Sequence, residues 1–287
     1  MAESFKVLAS SIQAHSTWNK FGIGENEIGG AAAAGLVGEA LKVNSTWQKL
    51  NLEFNSIDDS GTKALGEGLQ ANTTLKNLFL SDNSIGDSGA KALGQALKAN
   101  SSIEILSLQN NRIGSIGARA LADAVKDHLA LRALYLQNNV IPKSDLITLL
   151  VAALKANLQS FELKGDEFEA NWNGHILDLS HKHLSDDGTK LLAEGLQVNS
   201  TLQTLRLAEN SIGDSGAEAL GKALKANSTL QTLGLRDNQI EDPGAEALGA
   251  ALKENTTLKT CWLHGNKISA ATRQKLQAEH PGRIDFS

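Results

Sequence analysis

The chain has 287 residues, of which 41% are apolar and 21% are charged, as is typical of a folded protein rather than a disordered one. Its net charge of -5 argues against a dedicated nucleic-acid binder, because such proteins need surplus basic side chains to displace counterions from phosphates. A single cysteine excludes an internal disulfide framework.

No membrane segment is predicted, because the chain has no run of about 18 apolar residues. The first residues also lack the basic and then long apolar segments of a signal peptide. We therefore expect a cytoplasmic protein without a membrane partner, or one delivered into a host cell if the source is a microbe.

The chain repeats a unit of 28 residues along most of its length. Residues 199–226 read NSTLQTLRLAENSIGDSGAEALGKALKA and are followed by NSTLQTLGLRDNQIEDPGAEALGAALKE. The common spine is L-x-x-L-x-L-x-x-N-x-I, followed by a Gly/Asp turn and A-x-x-L-x-x-x-L. The spine asparagine occurs at Asn26, Asn55, Asn83, Asn111, Asn139, Asn210, Asn238 and Asn266.

Each unit is predicted to form a short strand and then a helix. Residues 205–207 alternate apolar and polar side chains, which indicates a strand with one buried face. Leu220 and Leu224 have helical spacing. Strand and helix, repeated in parallel, give a curved solenoid in which stacked neighbours supply the core. The asparagine amides can bond the turns of adjacent repeats, because an amide both donates and accepts.

Two further residue types recur at fixed places in the unit. Aspartates precede the helices, where a carboxylate can accept from free N–H groups; they are Asp59, Asp87 and Asp214. Glycines mark positions of close helix packing or special backbone geometry; they are Gly61, Gly89, Gly188, Gly216 and Gly244.

These motifs resemble the leucine-rich repeat family, in its ribonuclease-inhibitor-like subclass with repeats of 28–29 residues. They are also similar to the C-terminal arrays of NOD-like receptors, and the resemblance covers roughly residues 5–280. It implies an α/β fold, a leucine-rich repeat solenoid shaped as a curved horseshoe, with parallel strands on the concave face and helices on the convex face. The chain departs from ribonuclease inhibitor, whose repeats are rich in cysteine, because only Cys261 is present.

We expect one repeat domain over residues 1–287. An N-terminal half-repeat cap at 1–15 precedes a first block of five repeats at 16–157, an irregular segment at 158–182 and a second block at 183–268. Residues 269–287 are predicted to form a C-terminal cap, in which a last helix is followed by Pro281-Gly282.

The irregular segment accounts for a gap of 71 residues between Asn139 and Asn210. Asp166 and Lys182 occupy the asparagine position of two weaker spines, and only 16 residues separate them. Either ten strands stack continuously with a local defect, or residues 164–175 loop out from a nine-strand array. Its acids and rings form a second candidate binding site or plug the gap left by a missing helix; they are Asp166, Glu167, Phe168 and Trp172.

We expect no enzyme, no cofactor and no metal site, because no P-loop, G-x-S-x-G or H-E-x-x-H motif is present. His181 and His183 are a weak metal pair, since His183 falls in a turn, and they are the best support for an alternative, metal-dependent enzyme. Cys261 replaces a spine leucine and is predicted to be a small buried apolar group.

Six Asn-x-Ser/Thr triplets fall at one phase of the repeat, where the helix ends. They begin at Asn44, Asn72, Asn100, Asn199, Asn227 and Asn255. We interpret them as helix ends, where asparagine tolerates a left-handed backbone, rather than as glycosylation acceptors.

The remaining candidate site is the concave face, where rings stand on polar strand positions as in protein interfaces. The candidate residues are Phe54, Phe79, Asp82, Tyr135, Gln137, Asp178, His181, Arg206, Glu209, Arg236, Asp237 and Trp262. Trp18 and Trp47 replace a spine leucine and are predicted to be core. We expect a monomer that binds a protein partner in recognition, signalling or regulation. The alternatives are an enzyme regulator resembling the activators of the Ran GTPase, or an orphan or engineered repeat scaffold.

Overall fold

A computed structural model describes residues 20–22, 30–158, 160–166, 168–173 and 175–287 of the chain. These residues form two compact units. The first contains the described residues up to 152 together with 161–169, and the second contains 153–160 and 170–287. The predicted half-repeat, Asn26 and Trp18 lie outside the described residues.

Strands and helices alternate along the first unit, and each strand is parallel to the next. The strands are β1 (Lys20–Gly22), β2 (Lys49–Asn51), β3 (Asn77–Phe79), β4 (Ile105–Ser107), β5 (Ala133–Tyr135) and β6 (Ser160–Lys164). The helices are α1 (Gly30–Val43), α2 (Asp59–Ala71), α3 (Asp87–Ala99), α4 (Ser115–Val125) and α5 (Lys143–Lys155), of which the last continues into the second unit.

The second unit repeats this alternation. Its strands are β7 (Glu169–Asn173), β8 (Ile176–Asp178), β9 (Thr204–Arg206), β10 (Thr232–Gly234), β11 (Thr260–Trp262) and β12 (Ile284–Asp285). Its helices are α6 (Asp186–Val198), α7 (Asp214–Ala226), α8 (Asp242–Glu254) and α9 (Ala270–Glu279). Strands β8 to β12 are parallel neighbours, so the predicted α/β repeat fold is confirmed.

Strand β7 differs from this pattern because it pairs antiparallel with β8, through Trp172 and Leu177. Neither predicted arrangement of the irregular segment contained an antiparallel strand. Strand β12 is also additional to the prediction, which ended the chain on a helix and Pro281-Gly282. Both strands form where the repeat pattern of the sequence is absent.

The core of each unit is built from rows of identical positions. In the first unit Leu50, Leu78, Leu106 and Leu134 are register partners, and each is at most 1% exposed. Burying one leucine side chain contributes roughly 1.5–3 kcal/mol. Trp47 is fully buried, which confirms its predicted place in the core.

The spine asparagines form the predicted column between repeats. The amide of Asn111 donates to the carbonyl of Leu80 in the preceding repeat at 2.9 Å, and its oxygen accepts from the N–H of Ile85 at 3.0 Å. Asn210 and Asn238 repeat the same bonds in the second unit. Each of these asparagines thereby ties the exit of its strand to the preceding repeat.

A second column of asparagines ends the helices, at the Asn-x-Ser/Thr triplets. The amide of Asn227 donates to the carbonyls of Leu196 and Asn199 at 2.8 and 2.9 Å, and the residue is 3% exposed. The amide thus ends its helix and joins it to the preceding repeat, which agrees with the structural interpretation of these triplets. The expected left-handed backbone is wrong, however, because Asn227 has φ -83° and ψ 127°.

The helix aspartates bind the following repeat rather than their own helix, which corrects the prediction. Asp59 is the first residue of α2, and its carboxylate accepts from the N–H groups of Gly86 and Gly89 at 2.7 and 2.8 Å. A Cβ atom at Gly89 would lie 2.7 Å from that carboxylate, so the predicted close packing at this glycine is confirmed. The carboxylate supplies the acceptor that the start of the next helix needs.

The helix-end column is completed by two residues that are not asparagine. Arg283 stands one repeat after Asn255 and donates to the carbonyls of Leu252, Asn255 and Leu258. His128 stands one repeat after Asn100. Its Nδ1 accepts from the N–H of Leu131 at 3.1 Å, whereas its buried Nε2 has no hydrogen-bond partner among the described residues.

The buried imidazole makes stability depend on pH. Burial lowers the pKa of His128, so the folded protein holds it neutral where the unfolded chain takes up a proton. We expect the free energy of unfolding to fall as the pH drops below about 6.5, the ordinary pKa of histidine. The His128→Asn variant lacks this contribution and should lose less stability between neutral and mildly acidic pH in urea titrations. His280, whose pKa burial also lowers, is common to both proteins. Equal losses would contradict this assignment.

Candidate functional site

The exposed sides of the strands, with the two residues that follow each strand, form a surface that we call the strand face of each unit. In the first unit the last residues of neighbouring strands are register partners; they are Asn51, Phe79, Ser107, Tyr135 and Lys164. Neighbouring strands lie about 4.8 Å apart, so Phe79 and Tyr135 stand about 10 Å apart on either side of Ser107.

Phe79 is half-buried at the end of β3 and lies beside a basic side chain. The ammonium group of Lys49 is 4.6 Å from the centre of its ring. Lys49 is on β2, the neighbouring strand, so this contact joins two repeats. A cation at this distance is attracted to the ring face. The contact therefore favours one orientation of Phe79.

Tyr135 is held more firmly, by two side chains of β6. Its hydroxyl donates to the carboxylate of Glu162 at 2.7 Å, and Lys164 lies 2.9 Å from the same carboxylate. Lys164 is also 5.6 Å from the centre of the ring. Partial burial, with the help of Glu162, raises the pKa of Tyr135 to about 12. The bond from Lys164, with that from Tyr135, lowers the pKa of Glu162. At neutral pH the phenol is a donor to a carboxylate, which fixes the ring.

The surface between the two rings is polar and uncharged. The hydroxyls of Ser81 and Ser107 lie 2.7 Å apart, and both bond the amide oxygen of Gln109. Gln137, a predicted site residue that follows β5, is also half-buried. Its Oε1 is buried without a hydrogen-bond partner among the described residues.

A left-handed residue stands directly before the spine asparagine, or before Lys182 at the same position, in several repeats. In the first unit these residues are Phe54, Asp82, Asn110 and Asn138, with φ between 53° and 56°. In the second unit they are His181, Glu209, Asp237 and Gly265. This feature was not predicted from the sequence, although Asn, Asp and Gly, which occupy most of these positions, are residues that tolerate positive φ. Phe54, which is 51% exposed, is the bulky exception.

The strand face of the second unit has a different chemistry. Its last strand residues are Asp178, Arg206, Gly234, Trp262 and Asp285. Arg206 lies 3.4 Å from the carboxylate of Asp178, and His181 lies 3.1 Å from that of Glu209. Most charges predicted for this face are thus placed beside an opposite or protonatable partner.

Trp262 is half-buried because its ring lies over Gly234. A Cβ atom at Gly234 would come 3.3 Å from Cε3 of that ring. The guanidinium of Arg236 covers the ring at 4.8 Å from its centre and lies 4.0 Å from the carboxylate of Asp285. Asp237 is exposed beside this group. Gly234 was not among the predicted site residues, and its missing side chain makes the room for Trp262.

The second candidate site, in the irregular segment, is only partly exposed. Phe168 is 2% exposed and Trp172 is 1% exposed, which agrees with the alternative in which these rings fill the gap left by a missing helix. The indole N–H of Trp172 donates to the carbonyl of Leu158 at 3.2 Å, which fixes it in the core. Asp166 is exposed and accepts from the N–H of Asn138 at 2.7 Å. Glu167 lies outside the described residues.

The described residues contain no group of three or more His, Cys, Asp or Glu side chains arranged to hold a metal ion. Cys261 is 1% exposed, as predicted, and burial raises the pKa of its thiol to about 12. A thiol in this environment is a poor nucleophile. Across the part of the chain that is described, no helix combines the length and apolarity that a membrane crossing needs.

Five segments of the chain match the family model described as Leucine Rich repeat. They are residues 43–66, 71–94, 99–122, 198–221 and 226–249. These segments each run from one helix end through a strand into the next helix, as the repeats do in the structure. The chain therefore contains leucine-rich repeats.

Two solved structures are similar to the chain at low identity. One is "Leiomodin-1 Actin-Binding Site 2 (ABS2)", with 18% identity and a TM-score of 0.44 over 53% of this chain and 88% of that chain. The other is "Crystal structure of mouse RP105/MD-1 complex", with 15% identity and a TM-score of 0.40 over 94% of this chain and 47% of that chain. No curated protein matches the sequence significantly.

Proposed function

We propose that the chain is a non-enzymatic protein-interaction module whose partner contacts the strand face of the first unit. One observation carries the proposal: Phe79 and Tyr135 lie partly exposed on the strand face, and each is in contact with a charged side chain of a neighbouring strand. Rings that are fixed before binding lose little conformational entropy when a partner covers them. Such rings are efficient anchors of protein interfaces.

The groups between the rings suit a polypeptide partner. Gln109 and Gln137 are half-buried at this surface and carry amides, which can hydrogen-bond a partner's polar groups. A rim of charge follows at Lys49 and Lys164. Rings surrounded by such polar groups match the usual composition of a specific protein interface.

The strand face of the second unit offers a second contact area in this proposal. Trp262 and Arg236 form its largest exposed group, and the Asp178–Arg206 pair lies in the same row. The repeat length of 28 residues and the helical outer layer also support the ribonuclease-inhibitor-like subclass. A protein that binds a partner without catalysing a reaction would act in recognition, signalling or regulation.

We expect the double variant Phe79→Ser, Tyr135→Ser to lose the partner. Serine is the matched replacement, because Ser107 occupies the same register position between the two rings. The test is affinity capture from lysate of the source organism, with mass spectrometry of the captured proteins. Recovery of the true partner should fall at least about tenfold, the loss of roughly 1.4 kcal/mol of binding free energy.

The control is the double variant Lys91→Ser, Gln95→Ser on the exposed side of α3. It changes the same number of side chains and leaves the strand face intact. A partner lost by the control and kept by the ring variant would move the site to the helices. Capture of no protein by the native chain would favour the alternative of an orphan scaffold.

A further inference from the structure

Side chains join α3 to the preceding repeat at both of its ends. At its start, the carboxylate of Asp59 accepts from two N–H groups, a contact that we call the helix-start bond. At its end, in the helix-end column, the amide of Asn100 donates to the carbonyls of Leu69 and Asn72 at 2.9 and 2.7 Å. Helix α3 is therefore bonded to its predecessor at both ends.

The helix-end column is interrupted at the end of α4, where His128 takes the place of Asn100. The Nδ1 atom of His128 accepts from the N–H of Leu131 at 3.1 Å, as the oxygen of Asn100 accepts from that of Ile103. The imidazole thus keeps the acceptor of the asparagine. Its Nε2 is buried and has no hydrogen-bond partner among the described residues, so the donor to the preceding repeat is lost.

The helix-start bond is missing between α4 and α5, where three positions differ together from the regular repeats. Ser115 replaces the aspartate, Pro142 replaces the first donor, and Asp145 replaces the glycine that is the second donor. Serine has no carboxylate, and proline has no N–H group. The N–H of Asp145 donates instead to the carbonyl of Pro142 at 3.0 Å.

An ion pair stands in for this bond. The buried carboxylate of Asp145 accepts from Nε of Arg119, on α4, at 2.8 Å, and its Oδ2 is buried without a hydrogen-bond partner among the described residues. The side chain of Arg119 is 71% exposed, and ion pairs of exposed side chains add little to stability. A buried oxygen without a partner is also unfavourable. The pair is therefore a weaker connection than a carboxylate that accepts from two backbone N–H groups.

We propose that α4 is a local opening element, which detaches more often than α2 or α3 while the rest of the first unit stays folded. Its start keeps one regular bond, from Gly114 and Gly117 to Asp87. With 11 residues it is the shortest of the described helices of this unit, so opening breaks fewer backbone bonds. Segments with few such bonds open at low free energy.

Opening of α4 would uncover apolar side chains that are otherwise fully buried, among them Leu121 and Val125. The first unit would then present an apolar surface only transiently. This inference concerns the helices and goes beyond the proposed function, which concerns the strand face.

Native-state hydrogen exchange of the full chain at neutral pH, read residue by residue by NMR, tests the proposal. The amides of Leu121 and Val125 should be at least about tenfold less protected than those of Leu93 and Leu97, their equivalents on α3. Their exchange should depend little on dilute urea, because a local opening exposes little surface. Amides of α4 that are as protected as those of α3, or that exchange only by global unfolding, would overturn the proposal.

Two restoring variants test the cause of the opening. His128→Asn returns the donor of the helix-end column, and the triple variant Ser115→Asp, Pro142→Gly, Asp145→Gly returns the helix-start bond. Each should raise the protection of α4 about fivefold, the effect of one ordinary hydrogen bond, and leave that of α2 unchanged. If α4 exchanged as fast as before in both variants, the missing bonds would not be the reason for its opening.

The reverse experiment moves the gap to α3. Asn100→His should lower the protection of Leu93 and Leu97, and Asp59→Ser, which removes the helix-start bond, should do the same. Gln95→Ala, on the exposed side of α3, is the control and should leave their protection unchanged. Unchanged protection in both test variants would contradict the proposal, because the bonds that α4 lacks would then not hold α3 closed.

Discussion

Replacing Asn83 by alanine is expected to lower the free energy of unfolding of the first unit by roughly 3–5 kcal/mol. The amide nitrogen of Asn83 donates to the carbonyls of Leu52, Leu80 and Ser81, each at 3.0 Å. The side chain is 9% exposed, so water does not readily replace these bonds. An unpaired buried polar group costs about 1–3 kcal/mol.

The oxygen of the same side chain adds to the effect. It accepts from the N–H of Asn55 at 3.2 Å and from that of Ile57 at 2.8 Å, both in the preceding repeat. Urea titration followed by circular dichroism measures the loss. The variant Asn83→Asp keeps the acceptor and loses the donors, so it should also be strongly destabilised.

The matched control is Gln95→Ala, which removes an amide from the exposed side of α3. Its effect should stay within about 0.5 kcal/mol, as for most surface substitutions. If Asn83→Ala were as mild as this control, the asparagine column would not be a main source of cohesion between the repeats.

The regular repeats could be predicted from sequence because each position has nearly the same surroundings in every copy. Leu50 and Leu78 belong to one row of register partners and are buried in the same way in their repeats. The asparagine columns were predictable too, since a recurring amide at one phase must meet the same backbone groups each time. Repetition thus supplies evidence that a single occurrence of a residue does not.

The features that were not predicted depend on contacts that occur once. Strand β7 pairs with β8 through Trp172 and Leu177. This segment occurs once in the chain, so no repeat of its sequence predicts the strand. Arg283 replaces an asparagine at the end of the second unit, and its longer side chain reaches three carbonyls. The bond of an arginine to distant backbone groups has no local signal in the sequence.

The candidate site shows the same division. Polar strand positions were correctly expected to expose Phe79, Tyr135 and Trp262 in part, because alternation decides which face a residue takes. The groups that orient these rings come from neighbouring strands, and register alone brings Glu162 to Tyr135. For Phe168 the sequence left a binding role and a gap-filling role open, and the structure places it in the core.

The second large effect concerns the glycines along the helices of the first unit. A Cβ atom at Gly68 would meet the carbonyl oxygen of Gly38 on α1 and lie 2.9 Å from its Cα. Both neighbours are backbone atoms, so the two helices must move apart. We expect Gly68→Ala to cost about 3 kcal/mol, the upper part of the range for overpacking.

The same substitution at other helix glycines should give graded effects. A Cβ at Gly94 would lie 2.7 Å from the carbonyl oxygen of Ala120, which predicts a smaller loss than at Gly68. At Gly66 the closest atom is 3.2 Å away, so the change should be nearly neutral. Thermal unfolding of the series measures the order.

Gly35→Ala is the control with the opposite sign. Among the described residues, no atom outside the adjacent backbone of α1 lies within 4 Å of a Cβ placed at Gly35, so the alanine meets open space there. Alanine favours a helix over glycine by about 0.5–1 kcal/mol, and Gly35→Ala should therefore stabilise the protein. The same Gly→Ala change is thus expected to destabilise the protein at position 68 and to stabilise it at position 35. Opposite signs distinguish the effect of close backbone packing from the effect of helix propensity. If all four variants shifted stability in the same direction, helix spacing would not be the reason for glycine at position 68.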